Sequence, residues 1–177
     1  MTPSSSPNPI RAITSISTGS VRQGRVDFEG TFHAVRDLEH RPVGPRPGRI
    51  PIMMGAKGPK MLQLAVRHAD TWSWYVEERS DLTEFGPRLA TLLAACDAAG
   101  RDPATIGRSA GIVVEPTSVT GAADVLGVPV RGPSEEIADA LRTFGAAGFT
   151  QLEVILWPPA LAALEAMAPV LELLDGD

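Results

Sequence analysis

Lys57 and Lys60 stand three residues apart and are the only lysines in the chain; every other member of its 16 basic residues is arginine. They lie in the run Gly55-Ala56-Lys57-Gly58-Pro59-Lys60, between the apolar stretch 50–54 and Met61-Leu62. That order reads as a strand, a glycine-containing loop and the start of a helix. The first N–H groups of a helix have no intrahelical acceptor, and the helix dipole adds partial positive charge there. Glycines let a ligand approach the backbone closely. Two ammonium groups at the same place complete the requirements of an anion site, and a phosphate is the natural occupant. The plain alternative is an ordinary strand-to-helix turn with two solvated lysines.

Other candidates are weaker. Trp72 and Trp74 alternate on an expected strand and could wall a flat ring, although core packing explains paired tryptophans equally well. Trp157 ends the last expected strand. Glu115 follows the third expected strand and is a candidate base. Glu153 lies within the fourth, where an unpaired carboxylate would be costly, so it is expected to face a helix or a subunit boundary. His68 falls on the apolar face of its helix and reads as a core histidine. Cys96, the single cysteine, reads as a small buried hydrophobe. The three histidines have no zinc spacing, and no Gly-x-Ser-x-Gly elbow points to a hydrolase.

These residues need a scaffold, and its pattern is regular from residue 50 onward. The run 50–54 reads as a buried strand. Pro59 opens a helix at a position where its missing N–H does no harm, with Met61, Leu64, Ala65 and His68 on one face. Residues 69–75 read as a second strand. Ser80 or Asp81 caps a helix through Leu89, Leu92, Leu93 and Cys96 that Gly100 stops; Pro87 should lie in its first turn or kink it. Residues 109–115 contain a third strand, Ile112-Val113-Val114. Pro133, Glu135 and Glu136 start a helix with Ile137, Ala140, Leu141 and Phe144 on its apolar face, ended by Gly148. Residues 152–157 form a fourth strand, and a last helix runs through Leu161, Leu164, Ala168 and Leu171. Before residue 50 the chain is less regular. Residues 1–20, rich in Ser, Thr and Pro, read as a disordered tail. Residues 21–49 read as a lead-in with a short extended pair around Gly30 and a Pro/Gly-rich linker at 41–49.

The fold class is therefore α/β, with strands read as apolar on both faces, as parallel strands under helices are. Four strand–helix units amount to half of a (β/α)8 barrel, which typically needs about 250 residues. A half-barrel would leave two sheet edges and an apolar interior open, which calls for a partner. A homodimer closing by two-fold symmetry or a complementary N-terminal half-barrel would supply one. The chain has 177 residues, 44% hydrophobic, with a formal charge of -5. An acidic chain without a basic face argues against nucleic-acid binding. No stretch reaches the roughly 18 consecutive apolar residues of a membrane span, and no signal sequence opens the chain, so a cytoplasmic location is expected.

At residues 51–72 the sequence resembles the luciferase-like monooxygenase superfamily, from the strand and phosphate loop through Met61-Leu62 to Arg67-His68-Ala69-Asp70-Thr71-Trp72. The segments Val26-Asp27-Phe28-Glu29-Gly30-Thr31-Phe32, Gly100-Arg101-Asp102-Pro103-Ala104-Thr105-Ile106, Gly132-Pro133-Ser134-Glu135-Glu136-Ile137 and Ala146-Ala147-Gly148-Phe149 resemble further pieces of that family, in order. The resemblance covers roughly residues 21–174. It implies a TIM-type barrel binding FMN or an 8-hydroxy-5-deazaflavin at the carboxyl ends of its strands, and an oxidoreductase or monooxygenase acting on a small-molecule substrate. By matching position, Gly55, Ala56, Lys57, Gly58, Pro59 and Lys60 would hold the cofactor phosphate, with Asp70 and Trp72 at the end of the next strand near the cofactor. Thr71 departs from the family's usual glycine. Nothing resembles the family's first strands, so a truncated, non-catalytic half-barrel is the other reading.

Overall fold

The structure is a computed structural model that describes residues 9–116 and 127–176. Helix α1 (Pro9–Gln23) leads into an antiparallel hairpin, β1 (Arg25–Glu29) and β2 (Ala34–Glu39). The main body then alternates: β3 (Met53–Gly55), α2 (Pro59–His68), β4 (Thr71–Tyr75), α3 (Leu82–Ala99), β5 (Gly107–Pro116), β6 (Val130–Gly132), α4 (Ser134–Ala146), β7 (Gln151–Leu156), α5 (Leu161–Ala166) and α6 (Ala168–Asp175). Strands β3, β4, β5 and β7 are parallel neighbours in that order, and the short β6 pairs with the carboxyl end of β5. The strand–helix alternation is that of a partial (β/α)8 barrel with four main units. No helix among the described residues is long and apolar enough to cross a membrane.

One expectation fails at the amino end. Residues 1–8 lie outside the described residues, but 9–20 are helical rather than a disordered tail. Serine and threonine usually weaken helices because their hydroxyls compete for backbone groups. Here the hydroxyls turn back onto the helix itself: Thr14 Oγ1 donates to the Ile10 carbonyl, Thr18 Oγ1 to Thr14 and Ser20 Oγ to Ser17. Such bonds occur within helices at a small cost in stability, so packing has to hold this one. The helix then packs on β1 and α2.

Strand β5 is buried on both faces from Ser109 onward, as expected, but β4 is not. On β4, Trp72 and Trp74 are buried while Thr71, Ser73 and Tyr75 are not. The buried set joins Ala110, Ile112 and Val114 of β5 in a core closed by Leu62, Ala65 and Val66 of α2, Phe85, Leu92 and Cys96 of α3, and Ile137, Leu141 and Phe144 of α4. Phe85, Phe144 and Phe149 meet edge to face at its centre. The opposite face carries Thr71, Ser73, Tyr75, Ser109, Gln151 and Glu153, by strand alternation and by register. With Met53, Val113 and Ile155 on the same side, it is a mixed face rather than the apolar interior expected from the sequence. Small residues shape it. A Cβ added at Gly107 would lie 2.7 Å from Thr71 Oγ1, and one at Gly111 would lie 2.6 Å from Tyr75 Cε2. Gly107 thus makes room for the threonine, and Gly111 lets the tyrosine ring lie across β5.

Two further details differ. Pro87 sits in the second turn of α3, and the helix runs on across it. The expected last helix is two helices meeting at Met167, because Pro169 has no N–H to carry the ladder forward.

Candidate functional site

The 55–60 loop leaves the carboxyl end of β3. Ala56 is 2% exposed, and its carbonyl accepts the Trp72 Nε1 proton at 3.0 Å. This bond fastens the loop to the helix-facing side of β4. Gly58 is the N-cap of α2 in extended conformation, with no side chain capping the helix, and Pro59 follows it. The first intrahelical bond runs from Leu62 N to Gly58 O at 2.9 Å. The N–H groups of Lys60 and Met61 precede that bond, so they point out of the helix end. Gly55 and Gly58 have no positive φ. An added Cβ would meet only Ser73 O at 3.9 Å for Gly55, and nothing within 4 Å for Gly58. Unlike Gly107 and Gly111, they are not demanded by the packing around them. Gly86 and Gly145 are equally unconstrained, but they lie within helices.

Lys57 turns toward the neighbouring β4–α3 connection. Its ammonium pairs with Glu77 and lies 5.1 Å from the centroid of the Trp74 ring. Arg88, from α3, places its guanidinium 4.3 Å from the same centroid and 3.7 Å from the Glu77 carboxylate. Behind them the 77–79 backbone wraps a carboxylate. Glu84 Oε1 accepts from Trp74 Nε1 at 3.1 Å and from Glu77 N at 2.9 Å; Oε2 accepts from Glu78 N at 2.8 Å and Arg79 N at 2.7 Å. Burial pushes the Glu84 carboxyl up. The N–H groups of Arg79, Glu78 and Glu77 and the Trp74 indole outweigh that and hold it below the usual range. Asp81 caps α3 through Thr83 N at 2.9 Å.

The structure does not bring all the expected residues together. Asp70 precedes β4, at the amino ends of the strands, while the 55–60 loop is at the carboxyl ends. Its carboxylate pairs with Arg22 and accepts from Ile52 N at 2.7 Å. The expectation that Asp70 lies at the end of the strand near a cofactor is therefore corrected: it ties α1 to the start of β3. Trp72 points into the helix layer and is 1% exposed; it anchors the loop from behind and presents no face to a ligand. Trp74 is buried in the same layer. Trp157 packs partly against the core.

The remaining candidates also have structural partners. Glu115 pairs with Arg131, whose Nε lies 2.9 Å away. Glu153 faces away from the helices and accepts from the buried Ser109 hydroxyl at 2.6 Å. Burial lowers the His68 pKa, and the charges of Arg67 and Arg11 add to the effect. Burial raises that of the Cys96 thiol. No cluster of three metal-ligating side chains occurs among the described residues.

Glu77, Glu84 and Arg88 escape a reading of the sequence. Asp81 and Glu84 have the spacing of a capping box, which was the available signal. In that motif the glutamate would reach back to the cap residue, whereas Glu84 reaches further, to the loop before it.

The luciferase-like monooxygenase profile matches residues 10–124 of the chain. Among curated proteins none matches it. Several solved structures share the fold. The coenzyme F420-dependent tetrahydromethanopterin reductase from Methanopyrus kandleri superposes with a TM-score of 0.71 at 18% identity, over 93% of this chain and 62% of that one. An F420-dependent secondary alcohol dehydrogenase in complex with an F420-acetone adduct gives 0.66 at 14% identity, over 94% and 62%. A riboflavin lyase with modified FMN and riboflavin gives 0.64 at 15%, over 86% and 48%. The chain thus spans less than two thirds of each of these proteins. With the profile covering well over half its length, the chain belongs to the luciferase-like monooxygenase family.

Proposed function

We propose that this chain is the cofactor-phosphate-binding part of a flavin-type oxidoreductase, with FMN or an 8-hydroxy-5-deazaflavin held by its phosphate at the 55–60 loop. The observation that carries this reading is the uncapped amino end of α2, beside two lysines and two glycines that the surrounding packing does not require. The loop lies at the carboxyl ends of parallel strands, where ligands of such folds bind. The donor set fits a phosphate: outward N–H groups at Lys60 and Met61, and ammonium groups at Lys57 and Lys60. Gly55, Ala56, Gly58 and Pro59 shape the backbone around it, while Trp72 fixes the Ala56 carbonyl from behind. When bound, such a cofactor supplies the hydride or oxygen chemistry; these residues bind it and orient it.

The sheet face bearing Tyr75, Ser109 and Glu153 would then border the reaction space. Strands β3 and β7 each have one neighbour among the described residues. This supports a reading in which further strand–helix units complete the barrel, from a second copy or a complementary N-terminal half. A light-scattering mass of one chain, from a sample with a cooperative melt, would exclude self-pairing. The cofactor reading is tested by fluorescence titration with FMN and the deazaflavin. Saturation weakened by Lys57→Ala/Lys60→Ala supports it; a folded sample that binds neither favours a non-catalytic half-barrel.

A further inference from the structure

The best-built electrostatic feature outside the helix end is the convergence of three elements on one indole. Lys57 comes from the β3–α2 loop, Arg88 from α3 and Glu77 from the β4–α3 connection. Trp74 beneath them is 3% exposed, so the ring is fixed and both cations lean on it, as cations do on an electron-rich face. The Glu77 backbone is fixed by the bond from its N–H to Glu84, while its carboxylate stays exposed. One carboxylate therefore stands between two cations at the mouth of the 55–60 loop.

We propose that the Glu77 carboxylate occupies an anion position that a ligand phosphate takes over, with Arg88 as a further cation of the site and Glu77 as its built-in competitor. The proposal rests on the reading that an anionic group docks at the 55–60 loop. Three features carry it. First, Glu77 is the carboxylate that pairs directly with Lys57 and Arg88, whereas Glu84 behind the ring is taken up by the Trp74 indole and three backbone N–H groups. A phosphate brings about 1.5 to 2 negative charges and three acceptor oxygens, where Glu77 brings one charge and two oxygens. Second, a guanidinium offers a fork of donors that suits phosphate better than a single distant carboxylate contact at 3.7 Å. Third, displacement is easy. The side chains of Lys57, Arg88 and Glu77 are 61%, 46% and 41% exposed, and ion pairs at such exposure are weak. An open cleft of about 340 Å³, lined by Glu77, Glu78, Glu84, Arg79 and Arg88 among others but not by Lys57, gives access from solvent to Glu77 and Arg88.

The test is a tryptophan-fluorescence titration with inorganic pyrophosphate at low salt. The samples are the unaltered chain, Glu77→Gln, Arg88→Ala and the double variant, each checked by thermal melting. Removing the competitor should tighten binding roughly threefold to tenfold, the scale of an exposed ion pair plus the like-charge repulsion relieved. Arg88→Ala should weaken binding in both backgrounds, and the gain from Glu77→Gln should shrink as salt rises. If Glu77→Gln melts low, Glu77→Ser replaces it. Pyrophosphate binding that is unchanged or weaker without Glu77, in a folded protein, overturns the proposal. So does FMN binding that needs Lys57 but ignores Glu77 and Arg88, which would leave the cofactor reading intact. Pyrophosphate binding that follows the expected order, with no flavin or deazaflavin binding, would support the competitor and sink the cofactor reading instead.

Discussion

Replacing Glu84 with glutamine isolates the carboxylate that organises the β4–α3 connection. Its two oxygens each accept two N–H groups: Trp74 and Glu77 on one, Glu78 and Arg79 on the other. A glutamine keeps one acceptor oxygen and turns its NH2 toward two donors that cannot accept. Two bonds to a charged acceptor are lost, each contributing about 1.5–3 kcal/mol when shielded. The connection is solvated, so water recovers much of that, and a net loss of about 2 kcal/mol is expected. For a chain of this size that lowers the melting temperature by roughly 4–8 °C. Because the amide meets donors with a donor, Glu84→Gln should be nearly as damaging as Glu84→Ala, which distinguishes the wrapped carboxylate from a merely space-filling one.

The pH dependence has a definite sign. The Glu84 carboxyl is held below its ordinary value of 4.5. Its contribution is full above that value and is lost as the pH falls through the lower folded value, so the parent protein and Glu84→Gln should converge in acid. Circular-dichroism melts at neutral and acidic pH read both effects. A glutamine variant melting within about a degree of the parent at neutral pH would refute the reasoning, since that is the behaviour of an unconnected surface residue.

Gly111→Ala should destabilise by about 1–3 kcal/mol, because the added methyl meets the Tyr75 ring; Tyr75→Ala in the same chain should restore most of the loss, read by denaturant titration. Arg101→Ala should cost about 2 kcal/mol, since the guanidinium bonds the Val66 and Ala69 carbonyls at the end of α2 and the Thr105 carbonyl. The same unfolding measurement checks it, and an unchanged midpoint would contradict that role.

Much of the scaffold is legible in the sequence because each signal is local. Pro59 at a helix start, Asp81 as a cap and Gly100 with φ 64 all act within a turn of the chain. The strand–helix alternation follows from them. The misread parts depend on contacts across the sequence or on a finer pattern. The α1 helix has poor local propensity and is held by packing on β1 and α2. The two faces of β4 differ by a two-residue alternation in Thr71-Trp72-Ser73-Trp74-Tyr75 that a reading of bulk hydrophobicity blurs. Asp70 lies beside Trp72 in the chain, yet it belongs to the amino end of the strand and Arg22. At the candidate site, Lys57 and Lys60 stand out by composition, whereas Arg88 meets Lys57 only through the fold.

The measurement that bears most directly on the account is a titration of the parent chain and Gly55→Ala with FMN and the deazaflavin, with thermal melts alongside. The space beside Gly55 is open and its backbone has no positive φ, so alanine should leave the melting temperature unchanged or slightly raised. The account predicts saturable binding by the parent, weakened about tenfold in the variant, equivalent to about 1.4 kcal/mol. Binding that ignores the added methyl, or a folded parent chain that binds neither cofactor, would contradict the claim that this loop holds a cofactor phosphate.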